Sequence, residues 1–212
     1  MTNSRQFFET LSAEEGSTLP LRLQKIYKLL TYEASPVLHG VKPAVLVNIR
    51  KERDSCAKCV MWERCLRYIE GAMGLTAVEL SVNETRLSIL LFDPAQLHET
   101  LHDGSAVALL ARYGYPIYDG GNAMALLEHL RRRCRGERFP HEVGIFLGYP
   151  PHDVEAFIRN KGQDCKLCGY WKVYHDDERA AEQFRRMDAA RERMAGLIND
   201  GVPYYKAAKA LG

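Results

Sequence analysis

No apolar run in this 212-residue chain approaches the length that spans a bilayer, which excludes a membrane-spanning helix. A surplus of charge is also missing. The 29 Lys and Arg nearly balance 27 Asp and Glu, and the net charge of +2 gives no whole-molecule attraction to nucleic acid. Phosphate loops of the Walker type, G-x-G-x-x-G, G-x-S-x-G and H-E-x-x-H are all absent, so common nucleotide and hydrolase chemistries have no foothold. Six cysteines are too few for a disulfide scaffold at this length and read as reduced thiols. Met1 to Gly16 lacks the basic-then-apolar layout of a secretory signal, which sets the expectation of a cytoplasmic protein. Internal repeats and low-complexity linkers are absent too.

What is present is an ordinary globular composition, 46% apolar and 26% charged, enough for one domain with a real core. We expect a flexible N-terminal arm over 1–18, a single domain over 19–200 and a tail helix over 201–212. Leu23, Ile26, Tyr27 and Leu30 mark one face of a helix that should end at Ser35-Pro36, because the residue before proline is pushed out of the helical region. Ala44 to Ile49 reads as a buried strand. Asp54 or Ser55 should cap a helix whose inner face is Met61, Cys65, Tyr68, Ile69 and Ala72. Leu75 to Val82 and Arg86 to Phe92 read as a hairpin around Asn83-Glu84. Helices then follow at Pro94 to Leu101, at Ser105 to Tyr113, and from Asn122 on a stripe ending at Cys134. Another starts at Pro151 and stops at Gly162, and a long one is capped by Asp176. Tyr170 to Tyr174 reads as a strand. The expected class is α+β, with a small mixed or antiparallel sheet of about four strands covered by many helices.

Chemistry concentrates in Pro140 to Tyr174, PHEVGIFLGYPPHDVEAFIRNKGQDCKLCGYWKVY. Cys165 and Cys168, two residues apart, suit one metal ion or a redox disulfide, or are spectators. A tetrahedral ion needs further ligands, and Cys56 with Cys59, or His141 with Glu142 or His152, are the sources in the sequence. Cys56 and Cys59 also open a helix after a strand and a loop, beside Lys58 and Arg53. The helix N-terminus and these cations favour thiolate, as in a thiol–disulfide redox protein. Pro116 could stand opposite that pair as a cis-proline does in such folds. Cys65 and Cys134 fall on apolar helix faces and read as core. His141 and Glu142 form an acid/base or metal-ligand candidate, or else a helix cap or a buried polar contact. His98 and His102, at i and i+4, read as surface histidines. Arg131, Arg132, Arg133, Arg135 and Arg138 form a local basic patch suited to an acidic partner or, failing that, a solvated face.

Several of these stretches resemble a bacterial family named only as a domain of unknown function. Pro140-His141-Glu142, Gly144, Phe146 to Pro150, Asp153-Val154, Phe157-Ile158, Lys161-Gly162 and Gly169 to Tyr174 are similar to its signature. Pro36 to Ala44 and Tyr113 to Pro116 are weaker matches. The resemblance spans about Leu21 to Met194 and brings no catalytic residue with it. It implies an anaerobic bacterial setting and a link to flavodoxin or iron acquisition. The leading expectation is a cytosolic accessory protein that binds an acidic partner such as a flavodoxin through the arginine patch. The alternative is a metal- or haem-binding protein or enzyme centred on 140–174. Its residues would be His141, Glu142, Lys161, Tyr170, Trp171 and Lys172, with His141, Cys165 and Cys168 as metal ligands.

Overall fold

The computed structural model describes residues 20–50, 57–82, 86–117, 122–136 and 138–210, with the backbone alone at 57–61. A three-stranded antiparallel sheet lies at its centre, in the order β1 (Ala44–Arg50), β3 (Arg86–Phe92), β2 (Thr76–Val82). Leu46 faces Leu90 across one ladder and Val78 faces Leu90 across the other. The register of β2 shifts between Glu79 and Ser81, and Leu80 is the extra residue.

Both faces of this sheet are covered, which is why β1 and β3 carry apolar residues at consecutive positions. Val45, Val47, Ile49, Ile89 and Leu91 point into one core with α1 (Leu21–Leu38) and α2 (Ala57–Tyr68). The π-helical turn Ile69–Met73 and the C-terminal helix α9 (Tyr204–Lys209) complete that core. Ala44, Leu90 and Phe92 point the other way. There they meet α3 (Pro94–Leu101), α4 (Gly104–Arg112), α5 (Ala123–Cys134), the single turn α6 (Val143–Phe146) and α7 (Pro151–Arg159). A two-stranded ribbon, β4 (Leu167–Cys168) with β5 (Lys172–Val173), and the long helix α8 (Asp177–Asn199) close the molecule. The class is α+β. Among the described residues no helix is long and apolar enough to cross a membrane.

Two expectations are corrected. Helix α1 does not end at Ser35-Pro36 but runs through Pro36 to Leu38. Pro36 has no N–H to offer the Tyr32 carbonyl, and the Ser35 hydroxyl donates to that carbonyl instead, at 2.8 Å. The helix then stops at His39, whose backbone N–H bonds the Ser35 carbonyl, before Gly40 at φ +63°. The strand expected over Tyr170 to Tyr174 is only Lys172–Val173. Gly169, Tyr170 and Trp171 form the turn that feeds it, closed by Gly169 N–H to the Trp171 carbonyl. The Asp176 cap and the helix start at Asn122 are as expected, and Asp93 and Asp103 are caps beyond those expected. Asp93, Asp103, Asn122 and Asp176 each accept backbone N–H bonds at the start of their helices. Asp54, Ser55 and the Asn83-Glu84 turn lie outside the described residues.

Candidate site around a Tyr149–Trp171 wall

The segment Pro140 to Tyr174 folds into one tightly tied unit. Gly148 turns the chain at φ +75°, and a Cβ there would lie 2.4 Å from the Pro43 ring. That contact seats the Lys42-Pro43 segment against the segment's first half. Tyr149 follows and stacks on Trp171, ring centres 5.1 Å apart. Trp171 stands edge-on to Phe184 of α8 at 4.6 Å. Gly169 lies under the same phenyl ring, where a Cβ would come within 2.2 Å. Glycine at 169 is therefore a packing requirement.

Asp153 joins the two halves. It sits in the first turn of α7 and is 2% exposed. Its Oδ2 accepts the Trp171 indole N–H at 2.9 Å. Its Oδ1 accepts the backbone N–H of Tyr174 at 2.9 Å and of His175 at 3.2 Å, and lies 3.1 Å from His175 Nδ1. Burial alone would push this carboxyl up. The hydrogen bonds from Tyr174, Trp171 and His175, with His152 nearby, outweigh it and hold the group below the usual carboxylate range.

Glu142 has a structural role as well. It is 1% exposed and accepts from the Tyr115 hydroxyl at 3.1 Å and from Arg133 Nε. Burial raises the Tyr115 pKa, and the Glu142 charge and hydrogen bond add to the shift. The side chains of Glu142 and Arg133 are thus spent on tying α5 to the Tyr115 turn and the start of α6.

The Tyr149–Trp171 pair is a wall with a cleft on each side. One cleft, of about 340 Å³, is lined mainly by Phe139, Val143, Val154, Phe157, Tyr170 and Trp171, with His141, Cys168 and Lys172 among them. The other, of about 580 Å³, has a polar rim of Thr100, Asp103, Ser105, His152, Asp176 and Arg179. Asp153, Tyr149 and Trp171 border both.

Of the residues singled out in the sequence, His141, Cys168, Tyr170, Trp171 and Lys172 meet at the apolar cleft. His141 is exposed and packs edge-on to Phe157 at 5.1 Å. Lys172 Nζ donates to the Gly162 carbonyl at 2.5 Å, and Tyr170 donates to Asp188 at 2.6 Å. Lys161 is exposed at φ +53° and lines neither cleft. His141, Cys165 and Cys168 do not form a metal-ligating group. Among the described residues, the group of three that does converge is His152, Asp153 and His175. Cys168 is on β4, paired with Lys172, Cys165 precedes that strand, and His141 packs on the Phe157 ring. Cys56, and the side chain of Cys59, lie outside the described residues. No peptide among the described residues is cis, Pro116 included. Burial pushes the Cys65 thiol up to about 12 and the Cys134 thiol up to about 11, as befits core thiols. His98 and His102 are exposed and stack on each other at 3.9 Å.

The arginine patch is smaller than the helix pattern suggested. Arg133 turns inward to Glu142. Arg131 is half-buried near Glu128 at 3.5 Å and Glu79 at 4.0 Å. Arg132, Arg135 and Arg138 are exposed.

Two features escaped sequence reasoning. His175 joins His152 and Asp153 only through the β4–β5 turn, and a separation of 22 residues matches no helical or strand period. Lys42 is 7% exposed, with its Nζ 5.1 Å from the Tyr149 ring centre, although lysine is almost never fully buried. Burial lowers its pKa to about 8, Arg191 adds to the shift and Glu33 opposes it.

No curated protein and no solved structure matches the chain. The model of DUF3793, a family described as protein of unknown function, matches residues 30–207, and with that the whole of the wall and both clefts belong to the family's domain. The chain is a member of the DUF3793 family.

Proposed function

We propose that this protein binds a flat, conjugated small molecule with an acidic group in the apolar cleft, as a carrier or an enzyme of iron-limited or anaerobic redox metabolism. The supporting observation is the convergence of His141, Cys168, Tyr170, Trp171 and Lys172 on one cleft of about 340 Å³ with aromatic walls. Ligand sites have this make-up: mostly apolar lining, a few polar groups and volumes of roughly 300–1,000 Å³. Phe139 and the Tyr149–Trp171 pair offer ring faces for stacking. Lys172, fixed by Gly162, offers a cation for a carboxylate or phosphate, and His141 a nitrogen for a metal centre such as haem iron. The test is titration with haemin and, separately, with anilinonaphthalene sulfonate, read by absorbance and by Trp171 emission in a Trp62→Phe background. Saturable binding that weakens in Phe157→Ala and Lys172→Met supports the reading. Binding of neither probe, or binding indifferent to both changes, overturns it.

The second reading is an acidic protein partner, a flavodoxin in particular. It is favoured by the exposure of Arg132, Arg135 and Arg138 on one stretch of an otherwise nearly neutral chain. Steering between such surfaces falls with salt, since the screening length is about 10 Å at 0.1 M. Titration against a flavodoxin at low and high salt decides it. An interaction that ignores salt, or survives changing all three arginines to Glu, contradicts this reading.

A further inference from the structure

On the other side of the wall, we infer a binding site for a divalent transition-metal ion, zinc or ferrous iron in kind, formed by His152, Asp153 and His175. This site is separate from the apolar cleft and does not depend on what that cleft holds. One ligand atom from each residue lies within 4.8 Å of the other two. His152 Nε2 is 4.0 Å from Asp153 Oδ1, and His175 Nδ1 is 3.1 Å from the same oxygen. Ligands about 2.0–2.2 Å from a common ion stand roughly 3–3.5 Å apart, so small turns of the two rings close the set. Both rings are free to make them, at 52% and 49% exposure, and they already meet edge to face with centres 4.7 Å apart.

The carboxylate, by contrast, is immobile. Trp171 holds its Oδ2, and the backbone N–H groups of Tyr174 and His175 hold its Oδ1, as outer groups orient a metal-binding carboxylate. To ligate through Nδ1, the neutral His175 ring carries its proton on Nε2, a choice of tautomer with no net proton release. The N-terminus of α7 opposes a cation here, and the ionised Asp153 offsets it. Two imidazoles and one carboxylate leave coordination positions open. His152 and Asp153 line the cleft of about 580 Å³. An open site of this composition is the arrangement of catalytic rather than structural zinc and of non-haem ferrous centres.

The experiment is calorimetric titration of the full chain with zinc, and with Co(II) for its absorbance. It compares wild type, His152→Ala, His175→Ala, the double variant, His98→Ala and a Cys165→Ser/Cys168→Ser variant. Both ligand histidines are half-exposed, so their variants are expected to fold, and circular dichroism checks this. We expect one equivalent bound, weakened at least about tenfold by either ligand change and abolished in the double variant. The His98→Ala and cysteine variants should bind as wild type does. Three outcomes overturn the inference: no saturable binding, binding that survives in the double variant, or binding lost with His98 or with the cysteine pair.

Discussion

The two clefts share a wall and differ in nearly everything else. On the ribbon side, aromatic and aliphatic side chains line a hollow with His141, Cys168 and Lys172 among them. On the α4 and α8 side, the rim is carboxylates, hydroxyls, an arginine and His152. Tyr149, Trp171 and Asp153 serve both. The lesson is that one buried carboxylate sets the geometry of two surfaces of opposite character. It holds the indole that borders both clefts and bonds the His175 imidazole, which packs edge-on to His152 of the polar rim. A segment dense in chemistry thus uses much of it on folding, with Glu142, Asp153, Gly148 and Gly169 as the cases in point.

The largest break in this comparison should come from Asp153→Ala. It strands the indole N–H, two backbone N–H groups and a histidine, and buried donors left unpaired cost about 1–3 kcal/mol each. We expect a loss of about 3–5 kcal/mol in denaturant unfolding, with both clefts failing together.

Lys42→Met should act in the opposite direction. The folded-state pKa of Lys42 is lowered from 10.5 to about 8, so the buried ammonium destabilises the fold fully below about pH 8. That penalty fades as pH rises through this window and is gone above 10.5, where the lysine is neutral in both states. The variant should therefore gain about 2–3 kcal/mol near pH 7, and the gain should vanish above pH 10.5. Parallel denaturation series at several pH values check the sign as well as the size. A lysine that instead costs stability when removed would mean its cation is used in the fold.

Gly169→Ala comes next. The added methyl meets the Phe184 ring, and overpacking of this kind costs about 1–3 kcal/mol. Because Phe184 also holds Trp171, the apolar cleft should suffer more than the polar one, with probe binding weakened and zinc binding kept. Phe184→Leu in the same chain should recover part of the loss, which a double-mutant cycle would read out.

The smallest effect should be Arg112→Ala. Its ion pair with Glu155 links α4 to α7 at 2.8 Å, but both side chains are about half-exposed. Pairs of this kind contribute about 0–1 kcal/mol, so the midpoint should hardly move and neither cleft should change.

Much of the fold was legible because local signals decide it. Apolar strands buried on both faces, Asp and Asn caps, and helical stripes such as Leu126, Leu127 and Leu130 need no distant partner to be read. The errors were local rules overruled by neighbours. The Ser35 hydroxyl rescues a proline inside α1, and a turn at Gly169 shortens a strand. The candidate sites were half legible. Residue types pointed to the right segment, and the apolar cleft gathers five of them. Arg133 looked free because helical periodicity cannot show that Glu142 waits behind it. The triad of His152, Asp153 and His175 was illegible because only the ribbon's turn brings it together.

The central claim is that the wall separates two independent sites. The most direct measurement is a paired titration: zinc into protein saturated with anilinonaphthalene sulfonate, and that probe into protein saturated with zinc. The account predicts that each binds at one equivalent in the presence of the other, with zinc lost in the His152→Ala/His175→Ala variant and probe binding kept. One-for-one displacement of either by the other, or loss of both in that variant, would contradict it.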